Sequence, residues 1–196
     1  MSTVPSKADA KLLDVPCDEI ASKLATRLTW LNNAYGRCEK YFKNVDGRDE
    51  VMPAIYSGGR NNNGYLILLP DEGLGNFMFI DVDPSQTLLG DIGQLSFEVD
   101  ISLIFWFNYQ EVYTADHVNR TIENVKYDIL TEIKKGGFDG VRMEVYEVHE
   151  SAKEIYSTFS TRLSDSYAHK DSLRQALMRP YGGLRVDCNL RYTQLC

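Results

Sequence analysis

Residues 95–109, LSFEVDISLIFWFNY, limit the possible folds more than any other part of the chain. Phe97, Val99, Ile101, Leu103, Phe105 and Phe107 recur at a period of two, with Glu98, Asp100 and Ser102 between them. A helix would scatter those positions around its circumference, whereas a strand places them on opposite faces. At residues 104–106 both faces become apolar. The pattern predicts a strand with one half open to water on one face and the other half covered on both. Each large side chain fully buried there contributes about 1.5–3 kcal/mol. The strand should therefore anchor a sheet.

The flanking sequence predicts the partners of that sheet. Residues 1–16 carry Pro5 and Pro16 among polar residues and are expected to form a loose lead-in. Residues 17–196 are expected to form a single α+β domain, a length that suits one core. Asp18 is placed to cap a helix. Ile20, Leu24, Leu28, Leu31, Tyr35, Cys38 and Phe42 recur in steps of three and four, predicting one helix over residues 18–43. Gly36 within it suggests close packing or a bend. Residues 51–56, 65–69 and 76–82 read as strands, with Pro53 marking an edge or a strand start. The last two are expected to form a hairpin through residues 71–75 and to end at Asp83-Pro84.

A second amphipathic helix is predicted over residues 116–135 from Val118, Ile122, Val125, Ile129 and Ile133, stopped by Gly136-Gly137. Val141, Met143, Val145 and Val148 suggest a strand turning helical near residues 151–156, and residues 160–175 receive no assignment. At residues 184–192, Val186, Cys188, Leu190 and Tyr192 alternate with Arg185, Asp187, Asn189 and Arg191, the mark of a half-buried strand. The sum is an α+β fold, mainly an antiparallel sheet packed by two helices.

Charge and motif content narrow the function. The 21 Lys and Arg against 28 Asp and Glu give a net charge of −7. Nucleic-acid binders concentrate basic residues on one face. Here only Arg174, Arg179, Arg185 and Arg191 form a loose series, which argues against that role. No apolar run approaches the roughly 18 residues that cross a bilayer, and the first residues lack the apolar core of a signal peptide. The product is expected to stay in the cytosol. Cys17, Cys38, Cys188 and Cys196 form no C-x-x-C pair, and His117, His149 and His169 are remote from them in sequence. That spacing argues against a zinc site. Cys17 and Cys38 read as helix residues and Cys188 as a small strand residue.

Four strings invite a chemical reading. Gly59 and Gly64 in SGGRNNNG (57–64) have P-loop spacing, but Tyr65-Leu66 follows in place of Lys-Ser or Lys-Thr, so a polar turn is expected. Asp81, Asp83, Glu98 and Asp100 form two carboxylate pairs of the kind a metal-dependent nuclease uses, without a neighbouring Lys or His. Solvated strand positions and turn formers are the plainer reading. His117 reads as part of a helix start, and His149 and His169 as solvent-facing residues. Arg179-Pro180-Tyr181-Gly182-Gly183 suggests a turn with an aromatic plug feeding the last strand, and Trp106 and Tyr109 read as core. With no G-x-S-x-G motif either, no catalytic, cofactor or metal residue is assigned.

The segments FEVDISLIFWFNY (97–109), NRTIENVKYDILTEI (119–133) and RPYGGLRVDCNLRY (179–192), in this order behind an N-terminal helix, resemble the tail-terminator (tail-completion) proteins of long-tailed phages and prophages. The resemblance implies a structural, non-catalytic virion protein. It would form a homo-oligomeric ring, commonly a hexamer, contacting tail-tube and head-connector proteins. The 57–64 loop and the 179–183 turn are then expected at subunit contacts. The rival readings are the nuclease above and a cytosolic binding or regulatory module.

Overall fold

A computed structural model describes residues 10–45, 47–56, 64–89, 94–159 and 177–195. A first helix, α1 (Asp14–Arg27), leads into strands β1 (Asn33–Arg37), β2 (Glu39–Val45), β3 (Arg48–Tyr56), β4 (Tyr65–Ile67), β5 (Phe77–Leu89) and β6 (Gln94–Asn108). Helices α2 (Tyr109–Tyr113) and α3 (Ile122–Lys134) follow, then β7 (Val141–His149), α4 (Ala152–Ile155) and β8 (Tyr181–Leu195). One sheet has the order β1-β5-β6-β8-β7 and the other β2-β3-β4. Among the described residues, β1 with β5 is the one parallel pair, and the other pairings are antiparallel. The fold is α+β.

The long strand β6 sits at the centre of the five-stranded sheet and divides the core in two. On one face, Ile101, Leu103, Phe105 and Phe107 join Met78 and Ile80 of β5 and Val186 and Cys188 of β8. This layer packs against Cys17, Ile20 and Leu24 of α1 and Val125, Ile129 and Ile133 of α3. On the other face, Ile104 and Trp106 join Phe77 and Phe79 beneath Leu68, Ile155, Tyr156 and Phe159. Further along that face Asp100 is exposed. The strand is thus covered on both sides over one half only, as its pattern predicts.

The N-terminal helix is shorter than its stripe predicts: it spans Asp14–Arg27 and does not reach residue 43. Leu28 leaves helical geometry, with φ −93° and ψ 79°. Leu31, Ala34, Tyr35 and Cys38 stay buried, but in the approach to β1, along β1 and in the β1–β2 junction, and Phe42 is 70% exposed on β2. The competing partner is Asn76, whose side chain donates to the Trp30 carbonyl and accepts from the Asn108 N–H. Its backbone N–H donates to Asn32 Oδ1, and its carbonyl accepts from the Asn32 and Asn33 N–H groups. Such bonds give the chain an alternative to continued helix. The helix begins at Asp14, before the expected cap at Asp18, with Pro16 in the first turn, where a missing N–H costs little. Gly36 does mark close packing, since a Cβ there would run into the Asp18 carboxylate.

Other boundaries also move. Residues 71–75 are not a hairpin: they hold a 3-10 turn (Glu72–Leu74) that carries the chain from β4 in one sheet to β5 in the other. β5 does not stop at Asp83-Pro84; its register with β6 shifts between Val82 and Gln86, and the bulge absorbs the proline. Pro53 lies inside β3, the middle strand of its sheet. Its carbonyl accepts from Leu68 on the β4 side, so the missing N–H leaves the β2 ladder intact. The second helix starts at Ile122 behind a Thr121–Asn124 capping box, and Val118, in a preceding 3-10 segment, is exposed. β7, the short α4 and β8 fall where predicted. Residues 57–63 of the glycine-rich loop and residues 160–176 lie outside the described residues, as do His169, Arg174 and Cys196.

Candidate functional site

The second face of the main sheet turns from aromatic to charged along one line of residues. Asp81 on β5 is opposite Ser102 on β6, Ser102 is opposite Asp187 on β8, and Asp187 is opposite Glu147 on β7. Asp81, Ser102 and Asp187 are all buried. Residues from α4 and the segment just after it lie against this row: Arg185 donates to Glu154 and Ser157, and Thr158 donates to Asp81.

Asp187 is the hub. Its Oδ1 accepts from Ser102 Oγ at 2.6 Å and from Arg185 Nε at 2.7 Å. Its Oδ2 lies 3.0 Å from His149 Nε2. Arg185 also donates to Ser157 Oγ at 2.6 Å and to the Glu154 carbonyl at 3.2 Å, tying α4 to the sheet. The second ring nitrogen of His149, Nδ1, lies 3.8 Å from Glu154 Oε2, and Glu147 Oε2 is 3.7 Å from His149 Nε2. Burial alone would raise the Asp187 carboxyl, but the hydrogen bonds from Arg185, Ser102 and His149 outweigh it and hold the group below its usual range.

Asp81 behaves oppositely. Burial raises its carboxyl above the usual range, although a hydrogen bond from Thr158 and the charges of Lys40 and Arg185 pull the other way. Beside it a cleft of about 420 Å³ is lined by Arg37, Cys38, Glu39, Lys40, Asp81, Val82 and Pro84. Burial, reinforced by Asp81, pushes the Cys38 thiol well up. A thiol so placed stays protonated at neutral pH and makes a poor nucleophile.

The row contains Ser, His and Asp, but not as a nucleophilic triad. A triad needs the imidazole between hydroxyl and carboxylate, so that it can take the hydroxyl proton. Here Ser102 and His149 both bond to Asp187, on different oxygens. The hydroxyl donates to a carboxylate that is held as an anion, and among the described residues the imidazole is not placed to take its proton. Glu147, His149 and Asp187 do bring three possible metal-ligand atoms within 4.8 Å of one another.

The four carboxylates singled out in the sequence do not converge. Asp81 is in the buried row. Asp83 accepts from the Ser85 N–H at the bulge, Glu98 pairs with Arg191 at 2.8 Å, and Asp100 accepts from Asn189. His149, expected to face solvent, is instead enclosed among carboxylates, with 17% of its side chain exposed. His117 turns its Nδ1 to the Thr114 carbonyl in the 3-10 segment before α3. Tyr181 is the aromatic plug: it stacks on Trp106 at 5.1 Å, and its hydroxyl donates to Glu72. Arg179 lies over the Tyr109 ring and donates to the Arg120 carbonyl. Cys38 lies between β1 and β2, not on a helix, whereas Cys17 is on α1 and Cys188 on β8.

A different surface is the more accessible one. On the smaller sheet Tyr65 packs against Tyr41 at 4.9 Å and Tyr56 at 5.3 Å. Tyr56 is 59% exposed on that face, and Phe42, which pairs with Val51, is 70% exposed on the opposite one. Neither a family model nor a curated protein matches the chain. Among the described residues, no helix is long and apolar enough to cross a membrane.

Proposed function

We propose that this chain is a non-catalytic assembly protein, a ring-forming subunit of the phage tail-terminator kind. The observation that carries the reading is the aromatic lining of the β2–β3–β4 sheet, where Tyr56 stands exposed beside Tyr41 and Tyr65 on one face and Phe42 stands exposed on the other. Exposed aromatic side chains on a rigid sheet are the residue types that anchor protein interfaces. The wiring of the polar row supports the same reading, because Ser102 donates to Asp187 and burial keeps the Cys38 thiol in the adjoining cleft protonated.

In this role the five-stranded sheet is the frame and the smaller sheet is a contact surface toward a second copy or the tail tube. The test is to mix the purified chain with polymerised tail-tube protein and follow mass by light scattering. Binding to tubes, with or without prior ring formation, supports the proposal. A chain that stays monomeric at high concentration and binds no tube overturns it. Neighbouring genes for tail-tube, tape-measure and head-completion proteins are expected, and a neighbourhood of metabolic enzymes counts against the reading.

A further inference from the structure

We propose that Glu147, His149 and Asp187 form a binding site for one first-row divalent transition-metal ion, of which zinc is the reference case, that fastens edge strand β7 to β8. The site holds independently of whether the protein forms rings. It is built by strand geometry. Glu147 stands directly opposite Asp187, and His149 is two residues further along β7, so all three share one face. The register shift between Val145 and Glu147 sets this up, leaving Tyr146 exposed and bringing the next residues into line with β8.

The spacing suits a single ion. Two ligands bound at about 2.0–2.1 Å to a tetrahedral metal lie about 3.3 Å apart. Here His149 Nε2 is 3.0 Å from Asp187 Oδ2 and 3.7 Å from Glu147 Oε2. One imidazole with two carboxylates favours zinc and its neighbours, whereas magnesium and calcium prefer all-oxygen shells.

Two further observations distinguish this group from an ordinary surface cluster. Asp187 is already oriented from behind. Its Oδ1 is taken by Ser102 and Arg185, which turns Oδ2 toward His149 Nε2, the neighbouring ligand atom. Glu154 Oε2, which accepts from Ser151 Oγ, lies 3.8 Å from His149 Nδ1, on the side where a metal-bound imidazole usually finds its carboxylate partner. The charges also close. Glu147, Asp187 and Glu154 carry three negative charges and Arg185 one positive charge, leaving two that a divalent cation neutralises.

The test uses the full chain, stripped with a chelator and titrated with Zn²⁺, Co²⁺ and Mg²⁺ by calorimetry and absorption. We expect one saturable equivalent of Zn²⁺ or Co²⁺, no binding of Mg²⁺, and visible Co²⁺ bands without a thiolate charge-transfer band. Zinc should raise the melting temperature, and His149→Ala and Glu147→Gln should each weaken binding at least tenfold. Glu147 is 59% exposed, so Glu147→Gln leaves the fold intact if His149→Ala does not. Absence of saturable binding, a thiolate band, or an unchanged affinity in Glu147→Gln overturns the proposal.

Discussion

Ser102 and Asp187 face each other across β6 and β8, with Oγ 2.6 Å from Oδ1, at the line where the sheet turns from aromatic to charged. Asp187→Ala removes the acceptor for Ser102, Arg185 and His149 together. Breaking a buried ion pair from one side costs about 3–5 kcal/mol, and urea denaturation should show a loss of that order. The carboxyl is held below its usual value in the folded chain, so its stabilisation is full above the unfolded value of about 3.9. It is lost as pH falls through the folded value. Wild type and Asp187→Ala should therefore draw together in acid below about pH 4.

Asp81 gives the opposite sign. Its folded carboxyl titrates above the usual range, so folding is favoured while it holds its proton. That contribution is full below about pH 3.9 and is lost as pH rises through the folded value. Asp81→Asn should be more stable than wild type at pH 7, with the gap closing in acid. A less stable Asp81→Asn at pH 7 would mean that Lys40 and Arg185 outweigh burial.

Gly182 lies opposite Phe107, and Gly183 opposite Trp106, so the small residues of β8 leave room for the large ones of β6. A Cβ on Gly182 would come 2.7 Å from Phe107 Cε2 and 3.1 Å from Tyr109 Cε2. Gly182→Ala should cost about 1–3 kcal/mol through overpacking, read as a lowered thermal midpoint.

Tyr156 is enclosed in the aromatic core, and its hydroxyl has no hydrogen-bond partner among the described residues. Leaving a buried polar group unpaired costs about 1–3 kcal/mol. Tyr156→Phe should therefore be neutral or stabilising in chemical denaturation, and a clear loss would contradict this.

How much of this was legible in the sequence differs from element to element. Period-two patterning located β6 and β8 because each has one face wholly committed to the core. It also placed the half-covered stretch correctly, since Ile104 and Trp106 interrupt the polar face. The helix over 18–43 misled because Leu31, Tyr35 and Cys38, buried in and around β1, fall by chance on helical spacing. What redirects them is Asn76, some 40 residues away in sequence. The polar row was illegible for a related reason. Arg185 and Asp187 alternate like solvent-facing residues, and what encloses them comes from α4 and the segment after it, which the strand pattern does not reveal. His149 carried no motif; only the pairing of β7 with β8 sets it beside Asp187.

The assembly role rests on Phe42 and Tyr56, exposed on opposite faces of the smaller sheet. Phe42→Ser with Tyr56→Ser should cost about 0.5 kcal/mol or less at Phe42 and about 0.5–1.5 kcal/mol at Tyr56 through the lost ring contact with Tyr65. The direct measurement is electron microscopy of polymerised tail tubes incubated with wild-type chain or with this double variant. The account predicts rings capping tube ends with wild type and bare ends with the variant. Bare ends with wild type, or equal capping by both proteins, would contradict it.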